Sequence, residues 1–586
     1  MRSLIGRCHS LRLPTSLELV FTSSRRAPRC GFSTGLVARS TANMDKRKAM
    51  YNKWTKEALI KRIQLLEETN SCLAAGIAPP EKASPPQKKK AGNKIDPSKY
   101  STRLVAFKLA YLGKRYGGFE YAAQGNLPTI EEELWKAFTK ACLIFPDKPE
   151  EVNWDSQEYS KCGRTDRGVS AFGQVIAVRV RSSRPLPKTD EPLLEGEGEG
   201  DEEVSEEPRE FNDFSDELPY CRMLNRLLPP DIRMLAWCPT TPPEFSARYE
   251  CRERQYRYFF TQPAFVPLPQ SMENPDVAKT TKIKGGWLDI EAMRAAAKKF
   301  EGTHDFRNFC KVDPCKTQMN FEREVFESDI VEVEDSGTAL PFLDQAEFRP
   351  DASSGLNLQG KLPKVYYLHV RGTAFLWHQI RCMAAVIFLV GQGLEDPSVI
   401  DKLFDVEAEP RRPNYVLAED TPLVLWDCIF PRPNKPENAV NWVYLGEDSP
   451  TNQHGVTGLM SLVWEYWREK KMDELLASQL FNMVSSQADI SLCKDPKAVV
   501  QLPASTRTFE GGHKERLVGK YQPVLKRSRL PSPAEIIDKE AKRKGYANVV
   551  EMREANKRKY EERRARAAAE TSEPPIEEVA LDAAAG

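Results

Sequence analysis

The segment from Lys161 to Ala171 reads KCGRTDRGVSA and places Asp166 between Arg164 and Arg167, with Gly163 and Gly168 at its ends. Glycines at those positions permit a tight turn, so the carboxylate can project from a loop rather than from a regular element. Two guanidinium groups favour the ionised acid and repel no phosphate. An ionised Asp in a basic cleft suits nucleophilic or general-base work on a nucleic acid. The same residues could also form a structural Arg–Asp pair that closes a turn, and such pairs are mostly structural. Residue types and spacing leave both readings open. A second candidate set is Tyr256, Tyr258 and Phe260, which alternate onto one strand face. A ring on such a face offers a flat apolar surface, and stacking a nucleobase on one supplies roughly 1–3 kcal/mol. Either tyrosine could serve, although aromatics on a strand face usually pack into the core.

These side chains depend on the elements around them. Val105, Phe107, Leu109 and Tyr111 alternate as a strand over Leu104 to Tyr111, and Ile176, Val178 and Val180 do so over Gln174 to Val180. Cys251 to Phe260, Ile330 to Val333, Val365 to Val370 and Leu423 to Cys428 read as further strands. Thr129 and Glu132 fit a capping box for a helix carrying Ile130, Leu134, Phe138 and Ala141. Asp289 caps another, with Ile290, Met293, Ala297 and Phe300 on one side and Gly302 at its end. A helix is expected from about Phe375, and its run Met383 to Val390 is far too short to cross a bilayer. Alternating polarity along the strands favours an antiparallel or mixed sheet in an α/β (α+β) fold.

The flanks differ from this region. The first 43 residues hold seven Arg and a single acid, Glu18, a composition resembling a mitochondrial transit peptide. A basic leader, or a working start at Met44, fits it as well. Residues 44–78 contain an expected helix over 53–73, and 79–99 form a Pro- and Lys-rich linker. The globular region is expected over 100–433, interrupted by an acidic, solvated insertion at 190–217. Beyond Pro433 regular strands are not expected. A C-terminal extension spans 434–530 with a helix over Gly458 to Phe481, and 531–586 is a charged helical tail.

Across 586 residues, 85 Lys and Arg balance 84 Asp and Glu, so net charge does not identify a partner. The acid is concentrated in the insertion and the C-terminal end, which leaves the rest net basic and suited to an anionic partner. The thirteen Cys form no CxxC, Cys310 and Cys315 lack a second close pair, and the six His form no HExxH or HxxxH. The pattern predicts reduced thiols and no metal site, and no Gly-rich phosphate loop is present.

KCGRTDRGVSAFGQV closely resembles the signature of the TruA-type tRNA pseudouridine synthases and their eukaryotic relatives. Five further motifs, YLGKRYGGF from Tyr111, LNRLLPPDI from Leu224, FSAR and RQYRY from Phe245 and Arg254, HDF from His304 and FLWHQIR from Phe375, are similar to the family's in the same order. They span about Tyr100 to Pro431. FLWHQIR, the loop signature and the N-terminal helix look most like the eukaryotic branch acting on uridines 38 and 39 of the anticodon arm. The resemblance implies two ferredoxin-like halves sharing a mainly antiparallel sheet with a central cleft. It implies Asp166 as the catalytic aspartate, Tyr256 against the flipped uracil, Arg381 paired with Asp166, and Arg164 guiding the target nucleotide. His378 is expected to be a packing or RNA-contact residue. A tRNA substrate, no cofactor, no membrane and a homodimer are implied, in cytoplasm and nucleus, with the leader adding the mitochondrion.

Overall fold

The computed structural model describes residues 95–186, 210–273, 283–314, 320–430, 439–487 and 505–570. Outside that description are 335–336, 338, 351–353, 357 and 448, and some side chains near the C-terminal end. The chain divides into two units, Met1–Lys94 and Ile95–Gly586. In the first, only Ile60, Ile63 and Glu67 are described, each helical and exposed. The leader, the linker up to residue 94 and most of the helix expected over 53–73 lie outside the described residues.

Ten strands build one sheet: β1 (Thr102–Tyr111), β2 (Ser160–Lys161), β3 (Ser170–Arg181), β4 (Ile232–Cys238), β5 (Glu253–Gln262), β6 (Gly302–Asp305), β7 (Glu322–Glu332), β8 (Lys364–Gly372), β9 (Leu423–Ile429) and β10 (Val443–Tyr444). Their order is β10-β4-β1-β3-β9-β5-β8-β7-β6, with β2 beside β3. Every pairing is antiparallel except β3 with β9, where Ser170 meets Val424 and Ala171 meets Leu425. The mixed α/β architecture is therefore the one the alternating strands predict. The parallel junction marks the seam between two halves with separate cores. One core gathers Phe107, Phe138, Ile176, Tyr220 and Trp237, the other Tyr258, Phe300, Leu368, Met383 and Phe388.

The helices form where caps and apolar periodicity coincide. Thr129 accepts the Glu132 amide at 3.3 Å and starts α1 (Ile130–Lys140). After α2 (Tyr220–Asn225), Asp289 caps α3 (Ile290–Lys298) by accepting the Ala292 amide at 2.9 Å. The next helix, α4 (Gln379–Gly391), is buried along almost its whole length, as an apolar run on all faces requires. It begins four residues later than Phe375. His378 takes a left-handed φ of 59°, and the Gln379 side chain accepts the Leu376 amide, so the preceding turn is a loop.

Two expected boundaries move. The end of the acidic insertion is not solvated: the buried Glu217 carboxylate accepts from Arg103 at 3.1 Å, Ser182 Oγ at 2.6 Å and the Ser183 amide at 2.8 Å. Composition reads such an acid as surface, but its hydrogen bonds offset the cost of burial. Strands also continue past Pro433, because β10 extends the sheet beside β4, and β11 (Thr506–Thr508) pairs with β12 (Arg516–Val518). The segment holding β11 and β12 docks on the second half. Phe509 is buried against Phe388, and Gln392 donates to the Phe509 carbonyl at 3.1 Å. The helix expected over Gly458 to Phe481 is present as Leu459–Gln487, with Trp464 and Trp467 exposed. The charged tail holds two helices, Pro533–Arg543 and Val549–Glu570, and is not wholly solvated: Ile537, Ala541 and Met552 are buried, with Val312 packed against them. Among the described residues, no helix is long and apolar enough to cross a membrane.

Candidate active site

Asp166 sits on the loop between β2 and β3, next to the parallel seam, and that loop is held from several sides. Gln174 donates to the Gly163 carbonyl at 2.9 Å, the Tyr111 hydroxyl meets Thr165 Oγ1 at 2.7 Å, and the Phe119 amide donates to the Thr165 carbonyl at 3.1 Å. Gly168 has a φ of +79°, and a Cβ there would lie 2.5 Å from a carboxylate oxygen of Asp420. Only glycine fits such a position without strain or displacement. The turn that the two glycines suggest is thus present, and it directs a carboxylate that keeps 29% side-chain exposure.

The partners of that carboxylate come from the loop before α4. The Trp377 indole donates to one oxygen at 3.0 Å, and the His378 Nε2 lies 3.5 Å from the other. Burial raises the proton affinity of Asp166 above the ordinary carboxylate range, and Asp420 adds to this. The Trp377 bond and the charges of Arg381 and Lys311 oppose it without cancelling it. The flanking arginines are not what holds the acid. Arg164 is largely exposed and pairs with Glu120 at 3.0 Å, and Arg167 is exposed. Burial, with Arg381, Lys311 and Arg412 nearby, pushes His378 down to about 4. Its imidazole is therefore neutral near neutral pH, and its approach to Asp166 is not an ion pair.

Arg381 stands close enough to act on Asp166 electrostatically, but its direct contacts are elsewhere. Its Nε donates to the Ala418 carbonyl at 2.8 Å, and a terminal nitrogen lies 3.8 Å from Asp420. The direct pairing with Asp166 implied by the resemblance is replaced here by an acid–base cluster in which Asp420 lies nearer. Tyr256 is half-buried on β5, packs against both cores, and meets the Phe375 ring edge-on at 5.2 Å. Phe375 belongs to the same loop as Trp377 and His378, so one loop touches both the acid and the tyrosine. Tyr258 is fully buried, donates to the Glu419 carbonyl at 2.9 Å and packs on Phe388, a core role.

Two features of the site have no local signal in the sequence. Trp377 was visible only as part of FLWHQIR, although it is the closest hydrogen-bond donor to Asp166. The buried thiols of Cys162, Cys251 and Cys428 are far apart along the chain, yet they lie within 4.8 Å of one another.

Residues 296–431 match a family model described as tRNA pseudouridine synthase. Three relatives are each named tRNA pseudouridine(38/39) synthase. That of Bos taurus is 38% identical over 69% of this chain and 71% of its own length. That of Homo sapiens is 37% identical over 69% and 71%, and that of Saccharomyces cerevisiae is 35% identical over 69% and 76%.

Proposed function

Since this chain belongs to the tRNA pseudouridine synthase family, we propose that it isomerises uridine to pseudouridine at positions 38 and 39 of the tRNA anticodon arm, with Asp166 as the catalytic group. The observation that carries the reading is the partly exposed carboxylate on its braced loop, met by Trp377 and His378 and within the field of Arg381 and Lys311. A uridine must leave its stack to reach such a group, at a cost of a few kcal/mol. Tyr256 stacks on the extruded uracil, and Arg164, exposed at the loop edge, guides the target nucleotide by its charge. Arg381 favours the ionised acid through its charge, and Asp420 competes with Asp166 for that guanidinium.

Asp166 acts on the ribose by attack or by proton abstraction. The bond from C1′ to N1 breaks, the uracil turns, and a bond from C1′ to C5 forms as the Asp166 oxygen leaves C1′ or the abstracted proton returns to the ribose. The C5 proton leaves to a base and N1 regains one, so atoms and electrons balance without an oxidant, metal or nucleotide cofactor. The remainder of the tRNA is recognised by shape and backbone, since side chains cannot read the narrow A-form major groove. A homodimer, acting in cytoplasm and nucleus, completes the proposal, with residues 1–43 as a mitochondrial address. Light scattering and a reporter fused to residues 1–43 check these two parts.

The test of function is Asp166→Asn. The variant should bind tRNA like the unaltered chain and form no pseudouridine in a carbodiimide-stop assay. Normal product from it removes Asp166 from the reaction. Mapping pseudouridine in tRNA from cells with and without the protein tests the positions: an unchanged anticodon arm, with losses elsewhere, reassigns the substrate.

A further inference from the structure

Cys162, Cys251 and Cys428 come from three separate segments: the start of the Asp166 loop, the approach to β5, and β9. All three are buried in the first core. Their sulfurs lie within 4.8 Å of one another, and no other His, Cys, Asp or Glu group of this kind occurs among the described residues. A tetrahedral zinc with Zn–S bonds of about 2.3 Å spaces its sulfurs by roughly 3.8 Å, so small side-chain rotations bring these three into range.

The backbone around them is fixed. The Cys162 amide donates to the Val175 carbonyl at 2.9 Å, and Arg254 is registered across from Cys428 in the β5–β9 pairing. The Arg254 guanidinium donates to the carbonyls of Thr373 at 2.8 Å and Cys162 at 3.0 Å, and its charge is felt by all three thiols. Three thiolates and a dication carry one net negative charge, which this guanidinium offsets. A buried charge set needs such compensation.

We propose that Cys162, Cys251 and Cys428 bind one zinc(II) ion, which clips the start of the Asp166 loop to the central sheet. Binding exchanges thiol protons, released to solvent, for metal–sulfur bonds, and no electron is transferred. Thr373, the other carbonyl held by Arg254, opens the loop that carries Trp377 and His378. The clip therefore braces both loops that meet at the carboxylate. It does not depend on the pseudouridine reading, and neither does its test.

The full-length protein, purified without chelator, should contain close to one zinc per chain by mass spectrometry of the metals. After stripping and loading with cobalt(II), it should show thiolate-to-cobalt charge-transfer absorption. Cys428→Ser should lose that absorption, and Cys382→Ser, buried in the other core, should keep it. Loading should also slow tryptic cleavage after the exposed Arg164 and Arg167. Copper in place of zinc, no cobalt uptake by the folded wild-type chain, or a spectrum that survives Cys428→Ser overturns the site. Cobalt binding with unchanged cleavage overturns the clip.

Discussion

Replacing Trp377 by Phe isolates one of the forces acting on Asp166. The indole nitrogen donates to the carboxylate at 3.0 Å, and this bond favours the charged form against burial, which opposes it. Hydrogen bonds to charged groups contribute about 1.5–3 kcal/mol. Because the carboxylate keeps 29% exposure, water replaces part of the lost bond, and the lower end applies. About 1.4 kcal/mol corresponds to a tenfold change in an equilibrium constant. The sign follows directly. Removing a bond to the ionised form raises the proton affinity further, so the acid limb of the pH–rate profile moves toward neutral pH. Phe retains a ring to face the Lys311 ammonium, which sits 4.2 Å from the indole centroid. Single-turnover release of tritium from C5-labelled tRNA should give a nearly unchanged plateau and about tenfold slower rates on the acid limb. A profile superimposable on the wild type refutes the electrostatic role of the indole. An equal loss at every pH refutes it too, because it places the ring on the substrate instead.

Three further outcomes follow from the same geometry. Asp166 has a raised folded-state proton affinity, so its ionised form costs stability once pH exceeds the unfolded value. Asp166→Asn should therefore melt slightly higher than wild type at neutral pH by calorimetry, and lose that advantage in acid. For Glu217, burial is outweighed by its hydrogen bonds from Ser182, Ser183, Leu218 and Arg103, which leave it below the ordinary range. Its contribution is present above the unfolded pKa of about 4.3 and fades as pH falls through the folded value, so Glu217→Gln should cost about 3 kcal/mol at neutral pH in urea titrations and less in acid. Phe509→Ala should destabilise the fold by about 3–5 kcal/mol in the same titrations, because the ring is buried against Phe388; a change within error would detach the 505–530 segment from the core.

Much of the frame was legible because its signals are local. Period-two alternation in Val105 to Tyr111 and the N-caps at Thr129 and Asp289 depend on neighbours along the chain and are found, although of the expected capping box only the Thr129 half forms, while Glu132 pairs with Lys136. The position of Asp166 on a turn was equally local, since Gly163 and Gly168 announce it. What could not be read was which distant groups would surround it. Trp377 lies 211 residues away, and a tryptophan before a helix carries no sign of its target. The helix starts later than Phe375 because of the left-handed turn at His378, and this turn presents Trp377 and His378 to Asp166. Glu217 and the thiol cluster fail for a related reason. Burial of a polar or reactive group is decided by what the fold brings to it, and composition records only the group.

The environment of Asp166 also bears on why one carboxylate can serve in such chemistry. A fully solvated aspartate is a weak base, and its charge is spent on water. Here burial strengthens its attachment to a proton, and under the proposed reaction the same change would strengthen it as nucleophile or base toward the ribose. Full burial would leave it protonated at neutral pH. The indole bond and the charges of Arg381 and Lys311 pull against that limit without placing a guanidinium directly on the oxygens. Asp420 shares Arg381 with the acid, 3.8 Å from that guanidinium, and packs against Gly168, where any side chain would collide with it. The oxygens are therefore held by weak, neutral or distant partners, which a ribose can displace at less cost than a bidentate salt bridge.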